Sequence, residues 1–345
     1  MRRPVSTLSP RPNRRTLGAL SVAVALTALA SCAEPDVAEE TPVRPSVSAA
    51  SQPDSLTTVP DEVVPTTGAP TTTMTVPSPS GVTAADLCAG AERVEPAPEI
   101  DTNLLPETSG IAYSRTTPGR MYAHNDSGNL PRLFGIGAAS TVDFVWTVDA
   151  ALFDWEDMAV AGSLIYVADI GDNLHLRPNV RLLRMPEPSG DAATLDRPEI
   201  YPFTYTEGRF DAEALIVEPD GSAAIIITKG LDAPATIFEL PLREPPPETQ
   251  VLTPVGGLEL GLITAGDITA DGLVIGLRQL DRILLWDRIP GQSIAETIQN
   301  DTYCEAPSAQ ERQGEAFAFH PDGRGYTTLS ERESATRNDF RLVSP

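Results

Sequence analysis

The stretch "DWEDMAVAGSLIYVADIGDN", residues 154–173, sets an apolar run between two acidic clusters. Leu164, Ile165, Tyr166, Val167 and Ala168 do not alternate with polar residues, so they read as a strand covered on both faces. Asp154, Glu156 and Asp157 stand on one side, and Asp169, Asp172 and Asn173 on the other.

The same pattern returns along the chain. "ETSGIAYS" (107–114), "DWEDMAVA" (154–161), "DAEALIVE" (211–218), "TAGDITAD" (264–271) and "QGEAFAFH" (313–320) recur at a period of about fifty residues, within the range of propeller blades. A turn and a second apolar run follow each: "RMYAHNDSG", "SLIYVADIGDN", "AAIIITKG", "LVIGLRQ" and "RGYTTLSE". A third run often comes next, as in "RLFGIG", "RLLRMP", "TIFELP" and "RILLWDR". Turn signals such as "TTPGR", "EPDGS", "TADG" and "HPDGR" separate the runs, and no ten-residue stretch has capped helical periodicity. Residues 86–345 therefore read as an all-β domain, a β-propeller of five blades. Six is the alternative, should residues 88–106 and the C-terminal strand complete another.

Stacking blades against one another hides inner strands on both faces. Antiparallel pairing places the start of each first strand and the end of each second strand on one rim. First-strand starts supply Glu107, Asp154, Glu156, Asp211, Glu213, Asp267 and Glu315; second-strand ends supply His124, Asn125, Asp126, Asp169, Asp172, Asn173, Lys229, Arg278 and Glu331. Residues two apart on a strand share a face, so Asp154 with Glu156, and Asp211 with Glu213, aim together. Carboxylates crowded at a narrow mouth need a positive partner. All-oxygen ligation suits calcium or magnesium better than zinc. The expected metal ligands are Asp154, Glu156, Asp169, Asp172, Asp211, Glu213 and Glu315. Glu107, His124, Asn125, Asp126, Asn173, Lys229, Asp267, Arg278 and Glu331 are the expected ligand-binding residues, and His124 is the one candidate catalytic base. His320, in its "HPDG" turn, reads as structural, and Trp146, Trp155 and Trp286 as packing between blades.

With "SGIAYS…HNDSG", "DWEDMA…YVADIGDN", "DAEAL…ITKG" and "QGEAFAFHPDGRGYTTLSE" in view, the chain resembles exported bacterial lipoproteins whose propellers are related to phytase-like and esterase-like domains. The resemblance covers nearly all of 105–332, with "DWEDMA" and "DIGDN" its most specific part. It implies a propeller whose acidic channel mouth binds calcium. The fourth repeat departs from the pattern, because "TAGDIT" lacks the Asp-x-Glu pair.

The N-terminal segment reads as a lipoprotein signal peptide over 1–31. Five arginines precede "LGALSVAVALTALA", a run short for a membrane span, and "LASC" (29–32) matches a lipobox ending at Cys32. Arg14-Arg15 leaves twin-arginine export open beside the general route. Residues 32–85 are rich in Thr, Pro and Ser and lack aromatic residues, the composition of a disordered tether. The two remaining cysteines, Cys88 and Cys304, are expected to form a disulfide joining the N-terminal lead-in of the domain to its final blade. Lys229 is the sole lysine among 25 basic residues, a bias of GC-rich genomes such as those of actinobacteria.

The net charge is −23, and loss of five signal-peptide arginines without any acid takes it to −28. Such a surface disfavours nucleic acid, which needs a basic face. Anchoring must then come from the diacylglycerol on Cys32 rather than a polybasic patch. The chain lacks a Gly-x-Ser-x-Gly elbow, a phosphate-cradling loop and a His-Glu-x-x-His motif. Two functions remain. The first is a monomeric, lipid-anchored propeller on the extracytoplasmic face of the cell membrane, binding an envelope protein or small polar ligand. The second is a metal-dependent phosphoester or ester hydrolase. Cys32→Ala should release the protein from the membrane fraction or leave it unprocessed; unchanged fractionation would refute the lipobox.

Overall fold

The computed structural model describes residues 80–345 except 102, 191–192, 232–233, 301, 332–335 and 344–345. The expected signal peptide, Cys32 and nearly all of the tether lie outside these residues.

Five antiparallel sheets stand around a common axis. The first blade runs Thr108–Tyr113, Met121–Asn125, Arg132–Ile136 and Val142–Val148 from the inside outward. The second is Trp155–Ala161, Leu164–Asp169, Val180–Pro186 and Glu199–Tyr205. Ala212–Val217, Ala223–Thr228, Ala235–Pro241 and Pro254–Leu258 make the third. In the fourth, Ile263–Ile268, Val274–Gln279 and Ile283–Asp287 are followed by Cys304–Ala306 on the outer edge. The fifth contains Gly314–Phe319, Gly325–Ser330 and Asn338–Leu342. Its outer strand comes from the other end of the chain: Ala91–Arg93 pairs antiparallel with Asn338–Leu342, Ala91 opposite Leu342. The five-blade reading holds. Within 88–106 the strand Ala91–Arg93 closes the last blade, and no sixth blade forms among the described residues.

Packing explains why the inner strands are apolar on both faces. Among the described residues five hydrophobic clusters form, one between each pair of neighbouring blades. Within residues 154–173, Trp155, Met158, Val160, Ile165 and Val167 face the first blade and cluster with its Trp146. Ala159, Ala161, Tyr166 and Ala168 face the third blade. Trp286 lies between the third and fourth blades, so all three tryptophans pack between blades. Outer edges are shielded where loops add parallel strands: Thr194–Leu195 on the first blade and Gln250–Leu252 on the second.

The chain closes its ring with a short clasp. Thr83 caps the helix Ala84–Gly90 in a capping box with Asp86, and the Ala84 amide donates to Asp287 Oδ1 at 2.7 Å. Cys88 on this helix is disulfide-bonded to Cys304, at the start of the fourth blade's outer strand. The bond therefore reaches the fourth blade and not the final one, because the closing strand Ala91–Arg93 lies beyond the helix and carries the chain on to the fifth. The separation of 216 residues makes this the crosslink that restrains the unfolded ring most. Cys88→Ser with Cys304→Ser should cost ~2–5 kcal/mol of stability, read as a lower denaturant midpoint with a steeper slope, since the unfolded chain loses its crosslink. An unchanged midpoint would show that the clasp does not carry closure.

Candidate metal centre at the acidic mouth

Each innermost strand begins with a register shift against its neighbour. A bulge puts an extra residue into one strand and re-aims its side chain. The extra residues are Glu156, Glu213, Thr264 and Glu315, and Ser109 holds the corresponding place in the first blade. All five are buried. The ring thus carries three carboxylates and two hydroxyls. The hydroxyls face carbonyls of the next blade: Ser109 Oγ donates to Glu156 O, and Thr264 Oγ1 to Gly314 O at 2.9 Å.

Two carboxylate groups assemble from this ring and the loops beside it. Asp126, Asp154 and Glu156 each offer an oxygen within 4.8 Å of the others, and Glu156, Asp211 and Glu213 do the same. That spacing fits one hard cation, since oxygens about 2.4 Å from a calcium ion are at most about 4.8 Å apart. Glu156 belongs to both groups. Gly171 of "DIGDN" leaves room for them: a Cβ there would collide with Glu156 Oε1 and Asp154 Oδ2. Its amide donates to the Asp154 carbonyl at 3.3 Å.

The electrostatics follow from burial and repulsion. Burial pushes Asp154 up to about 6, with Asp126 adding to the shift. Burial, then Glu213, Asp126 and Asp154, hold Glu156 well above the ordinary carboxylate range. Glu213 is likewise raised by burial, although the Lys229 ammonium beside it opposes the shift. Its Oε2 is buried and has no hydrogen-bond partner. Burial alone would lower Lys229, but Glu213 keeps the ammonium charged. Glu315 reaches about 7 through burial, against Lys229 and with Glu331. Asp126 is raised by burial.

Of the seven expected metal ligands, Asp154, Glu156, Asp211 and Glu213 converge, and Asp126, expected only to bind ligand, joins them. Glu315 shares the bulge ring but lies outside both groups. Asp169 and Asp172 are engaged elsewhere. Asp169 pairs with Arg177 at 2.7 Å and Arg181 at 2.9 Å and accepts the Asp154 amide. Asp172 accepts the amides of Leu176 and Arg177, closing its own turn, and its amide donates to Asp211 Oδ1 at 2.9 Å.

The remaining residues divide in the same way. Glu107 accepts from Asn129, Glu331 accepts from Gln313, and Asn173 is exposed in a turn. Asn125 bridges Glu107 N and Leu104 O. Arg278 is buried and ion-paired to Glu311, so it is committed within the fourth and fifth blades. His124 is wholly buried, edge-on to Trp155, and its pKa is lowered to about 4 by burial. Asp267 lies three residues beyond the bulge, toward the opposite end of its strand. The fourth repeat aligns two residues earlier than its acidic letters indicate: Thr264, not Gly266, matches Glu213 and Glu315. Strand pairing decides that offset, because it places the fourth blade's bulge at Thr264.

Asp157, one of the acids flanking the 164–168 run, has a structural role. It is fully buried, and its Oδ2 accepts the amides of Leu215 at 2.9 Å and Gly266 at 3.0 Å, from the third and fourth blades.

No protein-family model matches this sequence, and no curated protein matches it. Among solved structures the chain is similar to the β-propeller domain of Cps50 (Swd1) from Myceliophteria thermophila, at 11% identity and a TM-score of 0.39, over 69% of this chain and 83% of that one. It is also similar to the PQQ-bound form of aldose sugar dehydrogenase from Streptomyces coelicolor, at 8% identity and a TM-score of 0.44, over 73% of this chain and 97% of that one.

Proposed function

We propose that the protein is a lipid-anchored, extracytoplasmic β-propeller that binds an envelope protein or small polar ligand through its acidic mouth. Asp126, Asp154, Glu156, Asp211 and Glu213 hold a hard divalent cation there, calcium first. The observation that carries this reading is Glu213 Oε2: it is withdrawn from water, has no partner, and belongs to a carboxylate that shares a group with Glu156. Lys229 neutralises one acid of five, which leaves a deficit that a divalent ion offsets. The resemblance to exported phytase-like and esterase-like propellers supports the same cation. The lipobox at Cys32 supports the anchor, and the net charge of −23 argues against a nucleic-acid partner.

A second reading, hydrolysis of a phosphoester or ester, draws on Glu315. Burial holds it at about 7, where a carboxyl group exchanges protons at neutral pH, beside a centre able to polarise water. His124, the base expected from the sequence, is buried edge-on to Trp155 and kept neutral by that burial. An esterase and phosphatase panel with calcium present distinguishes the two. Turnover lost in Glu315→Gln supports hydrolysis; no turnover on any member leaves binding.

Calcium at a hundred times its dissociation constant should stabilise the native state by about 2.7 kcal/mol, a rise of roughly 5–10 °C in melting temperature. Glu156→Gln with Glu213→Gln should abolish the rise and keep the fold. Identical melting curves for the unmodified protein with calcium, magnesium and chelator would remove the metal centre.

The same carboxylates set a pH dependence. Asp154 and Glu315 titrate higher in the folded state than in the unfolded chain, so folding takes up protons. In chelator their contribution is complete below about pH 4 and is lost as pH rises through about 6 to 7. Melting temperature should therefore fall over that interval without calcium, and calcium should flatten the slope. A chelator profile that rises across the same interval would contradict the assignment.

A further inference from the structure

The opposite ends of the innermost strands enclose a cavity of about 640 Å³, a size suited to a small organic ligand. It is separate from the acidic ring, which gathers where those strands begin. Ala159, Ala161, Val217 and Ile268 give it apolar walls, and beside two arginine–aspartate pairs Arg115 and Asp267 give it charge.

Asp267 breaks the repeat. Three residues past the bulge the other four blades carry Ala112, Ala159, Ile216 and Ala318, so a carboxylate stands at this level in the fourth blade alone. Its Oδ1 accepts the Ile268 amide at 2.8 Å and its Oδ2 the Phe319 amide at 2.7 Å. Each oxygen keeps a second acceptor site. Burial raises Asp267 to about 6, and the charge of Arg115 opposes the shift.

Arg115 is the unusual cation. The other arginines lining the cavity are paired, Arg337 with Asp339 at 3.0 Å and Arg341 with Asp322. The Arg115 guanidinium forms no ion pair among the described residues, and its Nη1 is buried without a hydrogen-bond partner. A desolvated donor left unmade costs about 1–3 kcal/mol, more when charged, and an anionic ligand would remove that cost.

We propose that this cavity binds a small monocarboxylic acid with an apolar body and a hydrogen-bond donor next to its carboxylate, of the amino-acid or hydroxy-acid class. The carboxylate takes Arg115, the hydroxyl or ammonium takes Asp267, and the side chain lies on Ala159, Ala161, Val217 and Ile268. Asp267 excludes a second negative charge from the ligand.

Calorimetric titration of the full-length protein tests the assignment with four probes: L-leucine, 2-hydroxy-4-methylpentanoate, 4-methylpentanoate and leucinol. At least one of the first two should bind at least tenfold more tightly than 4-methylpentanoate, which lacks the donor, and than leucinol, which lacks the carboxylate. Whichever of the two binds more tightly identifies the donor. Arg115→Ala should lose at least tenfold in affinity while the variant still unfolds in one cooperative transition, since the lost guanidinium makes no hydrogen bond or ion pair among the described residues and only its charge acts on Asp267. Glu156→Gln with Glu213→Gln should leave binding unchanged, which separates this site from the metal centre. No binding by either acid, equal binding of 4-methylpentanoate, or undiminished binding by Arg115→Ala would overturn the proposal.

Discussion

The innermost strands are edge strands turned toward one another, and their unpaired backbone groups must find partners away from water. The Asp157 carboxylate meets that constraint for two neighbouring blades at once by accepting Leu215 N and Gly266 N. It also accepts its own neighbour's amide, Met158 N, at 2.8 Å. Asp267 does the same for Phe319 N of the fifth blade, and Ser109 and Thr264 donate to carbonyls of the blades that follow them. One aspartate thus ties the second, third and fourth blades together. Removing it would strand buried amides in three strands, each at a cost of about 1–3 kcal/mol.

That requirement also shapes the mouth. Ladder pairing fixes how far each inner strand continues, and the bulge at its start turns one residue out of the ladder. In the second, third and fifth blades this residue is glutamate, while Ser109 and Thr264 use the same position for cross-blade hydrogen bonds. The acids concentrate on neighbouring blades: Asp126 from the first, Asp154 and Glu156 from the second, Asp211 and Glu213 from the third. Repulsion among carboxylates in a buried setting raises their pKa values, so the mouth holds protons or a cation according to pH. Lys229, the chain's single lysine, stands beside Glu213 in this acidic setting.

The two ends of the axis differ in chemistry although one set of strands builds both. The beginnings of those strands present acids at a ring, whereas their ends present a cavity with apolar walls, two arginine–aspartate pairs, Arg115 and Asp267. The difference comes from position along the repeat. Sites at the bulge tolerate polar side chains because they leave the ladder, whereas sites further along pack against neighbouring blades and are alanine or isoleucine except at Asp267.

By itself the sequence determined the five repeats, the doubly covered inner strands and the turns between them, since two-faced burial needs unbroken apolar runs such as 164–168. It also showed that Asp154, Glu156, Asp211 and Glu213 recur in phase, because their spacing from each run is local. Tertiary structure decided the rest. Asp169 has the same acidic neighbourhood in sequence as Asp154, yet Arg177 and Arg181 reach it from the next strand and its approach and neutralise it. Asp267 carries the letters of a rim acid, but strand pairing puts Thr264 at the fourth blade's bulge, so Asp267 falls three residues further along, toward the far end of the axis. The closing strand Ala91–Arg93 is too short to signal itself, and only its pairing with Asn338–Leu342 makes it the last edge of the fifth blade. Phase along a strand is written locally; which groups meet across the axis depends on contacts between residues far apart in the chain.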